Sequence, residues 1–445
     1  MSYRAIASFI VALCSLAAPA QAGQQIGLEA RLANTVMKGG EAGKNYLKVA
    51  LQGCKPEPSQ SRMPVNVAFV IDRSGSMQGM PIAQAREAAV MAVNRLLPTD
   101  IASVVIFDNR IDVLAPAQPV ADPVHFADLI RQVGARGSTA IHGGVLAGAA
   151  EVAKNRDARR LNRVVLLSDG QANVGPSRPE EFAALGRLLL SQGISVSTIG
   201  LGLGYNEDLM LQLARASDGN HAFAREPTDL VQIFNKEFDD VLGSCAQTVS
   251  IDIELKAGIK PVRALSRDGT IEGQRASFTL NQVYAATEHY VLLEVELDKS
   301  QAGATEQELG LVKVAYTAPD TGARQALEAT VRGRFSDSEA EVKAGYDSKV
   351  AEAVVEQVTR ERARRAVELQ DQGKTKEARE LLLQNASEIG NLFGSMVPSQ
   401  RMLDLQQKYQ ALGVQAAPTT PAQLSVGRKL LRQLDAGTAG SGVRY

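Results

Sequence analysis

An excess of charge of either sign is missing from this 445-residue chain: 48 Lys and Arg stand against 49 Asp and Glu, a formal charge of −1. A reader of nucleic acid needs a basic face or stripe against the phosphates, and this balance argues against that class. Histidine is equally thin. The four present, His125, His142, His221 and His289, have neither metal-site nor triad spacing. His142, three residues after Thr139, reads as an exposed helix position rather than a reactive group. Long apolar runs are absent too, except one from Ile6 to Ala18. Dinucleotide binding is also excluded, because Gly200, Gly202 and Gly204 close a late strand without G-x-G-x-x-G spacing or an acidic ribose partner.

The one apolar run has the shape of an export signal. Arg4 precedes it, and Pro19-Ala20-Gln21-Ala22 follows it with the small residues of an A-x-A cleavage site before Gly23. It falls short of the roughly 20 residues that span a bilayer. Cys14 sits inside the run behind bulky Leu13, which argues against a lipoprotein. The expectation is a chain cleaved after Ala22, periplasmic or secreted, with no transmembrane segment in its mature form. Of the three cysteines, Cys54 and Cys245 would remain. An even count in an exported chain points to a disulfide; the alternative is two buried free thiols.

A chain of this length suggests two or three domains. From Pro64 to Leu242, β-rich runs (Val65 to Ile71, Ile101 to Phe107, Val164 to Ser168, Ser195 to Ile199) alternate with helical patterns. Ile111 to Leu114 reads as an antiparallel edge strand, and Leu230 to Leu242 as the last helix. Such alternation predicts a doubly wound, mostly parallel sheet with helices on both faces. Around it the period changes to two, as in Val249-Ser250-Ile251-Asp252-Ile253 and Val291 to Leu297, the pattern of half-exposed antiparallel sheet. Ile26 to Leu32 and Leu47 to Leu51 share that pattern, and two strands do not stand alone in water. The α/β unit is therefore expected as an insertion in a β-sandwich, followed by a C-terminal α-helical hairpin that breaks near Gly373. The expected divisions are signal peptide 1–22, N-terminal sandwich strands 23–60, α/β domain 61–245, sandwich 246–336, helical hairpin 337–413, and linker with mobile tail 414–445.

Chemistry concentrates at the strand ends of the α/β unit. Val65 to Ser76 ends in Asp72-Arg73-Ser74-Gly75-Ser76, three oxygen-bearing side chains from one turn after an apolar strand. Magnesium wants near-octahedral oxygen ligation and keeps several waters, so few protein ligands suffice. Taken alone, D-x-S-x-S is equally the pattern of a turn whose side chains cap a helix. Two further segments supply more oxygen: Gly137-Ser138-Thr139 opens an apolar helix, and Arg163 to Ser168 is a strand ending on Asp169. In open α/β sheets the ligand crevice lies outside the carboxyl ends of the strands.

With Asp72, Ser74, Ser76, Thr139 and Asp169 in this order, the chain resembles the von Willebrand factor type A family. The metal-ion-dependent adhesion site of that family is built from D-x-S-x-S, a distal Thr and a distal Asp, and all five positions match. The resemblance implies that Ser74 and Ser76 ligate the cation directly and that Thr139 joins them when ligand is bound. Asp72 and Asp169 would act directly or through water. It further implies Mg²⁺, with Mn²⁺ or Ca²⁺ as substitutes, and an open position for an Asp or Glu of a protein partner. Both domain ends in such folds emerge opposite the metal, which implies a Cys54 to Cys245 pair. The motifs also resemble exported bacterial proteins labelled calcium-activated chloride channel homologues, although no pore-forming segment exists here.

The functional expectation is a non-enzymatic, metal-dependent binding protein. Ser74 and Ser76 lack a G-x-S-x-G elbow, and a hydrolytic metal site would carry more carboxylate or imidazole. The alternative is a periplasmic assembly or envelope-maintenance factor in which the metal is mainly structural.

Overall fold

The computed structural model describes residues 26–55, 63–157, 159–169, 171–201, 205–224, 229, 233, 244–299, 305–319, 321–392, 399–415, 428–429, 431 and 441–444. The expected export signal lies outside the described residues, as does nearly all of the expected last helix of the α/β unit.

The central sheet follows from continuous apolar runs. Strand β4 (Val65–Asp72) and strand β7 (Leu161–Ser168) are buried along their whole length, as parallel strands covered on both faces must be. They pair with each other and with β5 (Ile101–Phe107) and β8 (Ser195–Leu201), all parallel. Strand β6 (Ile111–Pro119) adds an antiparallel edge, and β9 (His221–Ala224) closes the other side in parallel. The spatial order is β6-β5-β4-β7-β8-β9. The chain reverses direction of growth between β4 and β7, which makes their carboxyl ends the topological switch point.

Alternate side chains of β4 feed two cores. Val65, Val67, Phe69 and Ile71 pack beneath helix α1 (Met80–Val93) and helix α2 (Pro123–Arg131). Ala68 and Val70 face helix α3 (Ile141–Lys154), helix α4 (Pro179–Ser191) and helix α5 (Glu207–Ala216). Helix α3 rides close to the sheet through glycine: a Cβ on Gly144 would lie 2.5 Å from the Phe107 ring, and one on Gly148 2.3 Å from Val70.

The flanking segments build the sandwich around this insertion. In one sheet, β1 (Gly27–Leu32) pairs β3 (Gly43–Gln52), and β3 pairs antiparallel with β14 (Thr287–Leu297) from Gln52 opposite Glu288 to Gly43 opposite Leu297. Strand β11 (Ile259–Ala264) follows, and β17 (Ser441–Arg444) also pairs β14. The second sheet runs through β12 (Thr270–Glu272), β13 (Arg275–Tyr284), β10 (Ser244–Leu255), β15 (Gln307–Thr317), β16 (Arg324–Ser336) and β2 (Val36–Lys38). The early strands thus find partners about 240 residues downstream, as with Lys48 on Glu288 at 2.6 Å. Cys54 and Cys245 form a disulfide with Cα atoms 5.8 Å apart, at the neck where the insertion leaves and re-enters.

After the sandwich come helices α6 (Glu339–Ala344), α7 (Ser348–Asp371), α8 (Thr375–Leu392) and α9 (Gln400–Gln415). Helices α7 and α8 turn at Gly373, where φ is +75°. The expected hairpin is larger than the periodicity of its first two helices implied, because Met402, Tyr409 and Leu412 of α9 complete its core. Within the stretch expected as linker and tail, two described residues are anchored. Lys429 is buried and donates to the Tyr205 carbonyl at 3.0 Å and to Glu207 at 2.9 Å. Arg428 bonds Glu207, Asp208 and Asp371 together. Pairs this distant in sequence leave no trace in local composition.

Two outcomes follow from this arrangement. Non-reducing peptide mapping should recover Cys54 linked to Cys245, and replacing both by serine should cost about 2–5 kcal/mol, the range for native bridges; two free thiols would refute the bridge. Lys429→Ala removes one of the two cations on buried Glu207 and leaves the Arg428 pair, so it should cost about 1–3 kcal/mol in denaturant unfolding, the range for one buried group left unsatisfied.

Candidate metal centre

The loop after β4 is shaped by its first carboxylate. Asp72 is fully buried, and its Oδ1 accepts the Ser74 N–H at 2.8 Å, closing a tight Asx-type turn. A single 3₁₀ turn over Gly75–Met77 then brings Ser76 round, with Ser74 Oγ and Ser76 Oγ 3.1 Å apart. Ser74 is buried and Ser76 is exposed, so the pair runs from the sheet to the surface. The rival reading of this motif, side chains spent on helix amides, does not describe it. Neither the 3₁₀ turn nor α1 has a side-chain cap, and the residue at the α1 N-cap is Gly79.

The second loop is locked to the first through backbone. The Gly75 N–H donates to the Gly137 carbonyl at 2.9 Å, and the Arg136 N–H to the Arg73 carbonyl at 2.6 Å. Gly137 sits at φ +76°, and a Cβ there would lie 2.7 Å from Asn109 Oδ1, so glycine is required on both counts. Thr139 is buried just beyond it. Its N–H donates to Asn173 Oδ1 at 2.7 Å, and its carbonyl accepts from the N–H groups of Asn173 and Val174. Asn173 is therefore a positioning residue that no sequence motif flagged.

Asp169 follows β7 and is buried. Its Oδ1 accepts from the Gln171 N–H at 3.3 Å, and its carbonyl from the Asn206 N–H at 2.9 Å, tying it to the start of α5. Ser168, also missed by sequence reading, donates its hydroxyl to Asp72 Oδ2 in a short hydrogen bond. That spacing was visible only as the residue before Asp169. The structure thus sets Asp72, Ser74, Ser76, Thr139 and Asp169 on adjoining loops at the carboxyl ends of β4 and β7 and the start of α3.

The electrostatics of this cluster are unbalanced. Asp72 is bonded by a hydroxyl and a backbone N–H and Asp169 by a backbone N–H, and among the described residues neither is ion-paired with a basic side chain. Burial pushes the Asp72 carboxyl up to about 6, against the lowering effect of the Ser168 and Ser74 hydrogen bonds, and the charge of Asp169 adds to the rise. Two buried carboxylates without a counter-charge, beside two hydroxyl-bearing loops, are a donor set suited to a hard cation. Among the described residues no three His, Cys, Asp or Glu side chains group with metal-holding geometry, so a cation here must draw on hydroxyls as well.

The nearby arginines are held elsewhere. Asp108 is buried; its Oδ2 pairs with Arg73 Nε and Arg136 Nε at 3.1 Å each, and its Oδ1 accepts from the Arg110 N–H at 2.7 Å. Burial raises the Asp108 carboxyl, but the Arg110 N–H and the two guanidinium groups outweigh it and hold it below the ordinary value. Arg73 also reaches Asp112 at 2.5 Å. His142 is partly buried, edge-on to Phe182 at 5.9 Å, instead of exposed on its helix.

Comparison with known proteins identifies the fold that carries these loops. Residues 66–236 match the von Willebrand factor type A domain. An uncharacterized protein of Synechocystis sp. is 28% identical over 294 residues, 64% of this chain and 69% of its own length. Human inter-alpha-trypsin inhibitor heavy chain H3 is 30% identical over 171 residues, which span 37% of this chain and 19% of that protein. Among solved structures, a von Willebrand factor type A protein from Catenulispora acidiphila superposes with a TM-score of 0.70 at 14% identity, covering 96% of this chain and 99% of that one. The ArnB paralog VWA2 from Sulfolobus acidocaldarius gives 0.61 at 17% identity, covering 92% and 99%. At such identities the likeness is one of fold, and it extends over the flanking domains. The α/β unit that gathers Asp72, Ser74, Ser76, Thr139 and Asp169 is a von Willebrand factor type A domain.

Proposed function

We propose that this protein is an exported, non-enzymatic binding module whose type A domain captures an acidic side chain of a protein partner through a divalent cation. Asp72, Ser74, Ser76, Thr139 and Asp169 would hold Mg²⁺, or Mn²⁺ or Ca²⁺ in its place. The observation that carries this reading is the pair of buried carboxylates with no basic counter-charge among the described residues, set beside hydroxyls at the switch point of the sheet. A bound cation would supply an electrophilic coordination position open to a carboxylate from outside.

The chain's own residues prepare that position. Ser168 and the Ser74 N–H fix both oxygens of Asp72, so the carboxylate is presented without rotational freedom. Asp108 keeps Arg73 and Arg136 from neutralising the site. A proton and a cation compete for the same oxygens of Asp72. Among the described residues the hydroxyl-bonded histidine, His221, is sealed from solvent against Thr198 and Tyr205 and depressed to about 4 by burial, which favours docking over catalysis. Export is supported by the N-terminal pattern and by the disulfide.

A second reading, an envelope assembly factor whose helices are the docking surface and whose cation is structural, draws on one observation. The clasp of Arg428 and Lys429 fastens the helical region to α5 of the type A domain.

Calorimetric titration should show Mg²⁺ or Mn²⁺ binding to the wild type and a loss of at least about a hundredfold in Asp72→Ala, beyond the range typical of groups that only support ligands. Unchanged affinity would sink the assignment. In pull-downs from envelope extracts, EDTA should release the partner and excess Mg²⁺ should restore it; EDTA-resistant capture would select the second reading.

A further inference from the structure

The ladder between β7 and β8 ends with Ser168 opposite Gly200, so Asp169 is the first residue on its strand that this ladder does not hold. Its backbone carbonyl is caught instead by the Asn206 N–H at 2.9 Å. That N–H belongs to the peptide unit between Tyr205 and Asn206, and the carbonyl of the same unit accepts from Lys429 Nζ at 3.0 Å. One planar peptide therefore stands between Asp169 and Lys429, with a hydrogen bond on each side.

Lys429 is built into this place. It is buried, its ammonium also bonds Glu207 Oε2 at 2.9 Å, and it lies 4.3 Å from the centre of the Tyr205 ring. Tyr205 is itself fixed: its ring stacks on Phe223 at 5.2 Å, and its hydroxyl bonds His221 Nε2 at 3.1 Å. With both flanking side chains anchored, the freedom left to the peptide is rotation of its plane, and Lys429 opposes that rotation from the carbonyl side. A cation on the carbonyl also strengthens the N–H opposite, because hydrogen bonds in series polarise one another.

Arg428 supplies a contrast one residue away. It carries the same charge, but its bonds among the described residues go to the side chains of Glu207, Asp208 and Asp371.

We propose that Lys429 is a positioning residue of the candidate metal centre, setting the place of Asp169 through the peptide between Tyr205 and Asn206. The inference rests on the cation reading above and adds a control to it: the C-terminal segment has to be docked for the site to hold its cation tightly. Simple electrostatics has the opposite sign, since loss of a nearby positive charge would tighten a divalent cation.

The test uses the full chain, titrated calorimetrically with Mg²⁺ at a temperature where every variant is folded by circular dichroism. Lys429→Met keeps an unbranched side chain and removes the donor; it should weaken binding about ten- to a hundredfold, the range for groups that support ligands. Arg428→Met makes the same change of charge and should bind as the wild type does. Hydrogen exchange of the Asn206 amide should quicken in Lys429→Met and not in Arg428→Met. In the wild type, where no variant has to fold, saturating Mg²⁺ should slow that exchange, because coupling between two sites is reciprocal. Affinity unchanged or raised in folded Lys429→Met, an equal loss in Arg428→Met, or an Asn206 amide indifferent to Mg²⁺ would each overturn the positioning role. Absence of Mg²⁺ binding by the wild type, or full binding by Asp72→Ala, would instead bring down the cation reading itself. Binding that depends on Asp72 and not on Lys429 would remove this inference alone.

Discussion

Asp108 is a carboxylate buried at the end of β5, and the candidate metal face depends on it. Its side chain draws in Arg73 from the first loop and Arg136 from the second, while its backbone carbonyl accepts from Ala140 at the start of α3. A lone buried charge would be expensive; two guanidinium groups and a backbone N–H make it tolerable. In return the two loops cannot separate, and the arginines cannot turn toward Asp72. The uncompensated negative charge at the candidate site therefore rests on a fully compensated one next to it.

Much of this was legible in the sequence because the type A domain obeys strict periodicities. Strand β5 begins and ends where its apolar run does, and the pattern of Val65 to Asp72 marked both the central strand and its functional end. The sandwich strands were legible through their period of two, and their distant pairing through the instability of two strands alone. Strand β9 escaped because four residues show no period. The last helix of the C-terminal region, α9, was missed although Met402, Leu405, Tyr409 and Leu412 recur at i, i+3, i+7 and i+10, the spacing of a helical stripe.

At the site, the residues with oxygen at motif spacing were legible, and those that orient them were not. Ser168 and Asn173 act through single hydrogen bonds to Asp72 and to the Thr139 backbone. A serine at a strand end and an asparagine in a loop are ordinary in composition, and only the fold reveals what they hold. The same holds for Lys429, whose role depends on a glutamate more than two hundred residues away.

Helix α5 joins features that sequence keeps apart. At its first turn Asn206 holds the Asp169 carbonyl, and Glu207 receives Lys429. Past its last turn Asp218 grips Arg267 and the Asn281 N–H of the sandwich. Regular helix transmits axial displacement with little loss, since its hydrogen-bonded turns compress far less than loops bend. This ten-residue helix thus ties the loop bearing Asp169 at one end to the sandwich at the other, a strut across the junction of the two domains.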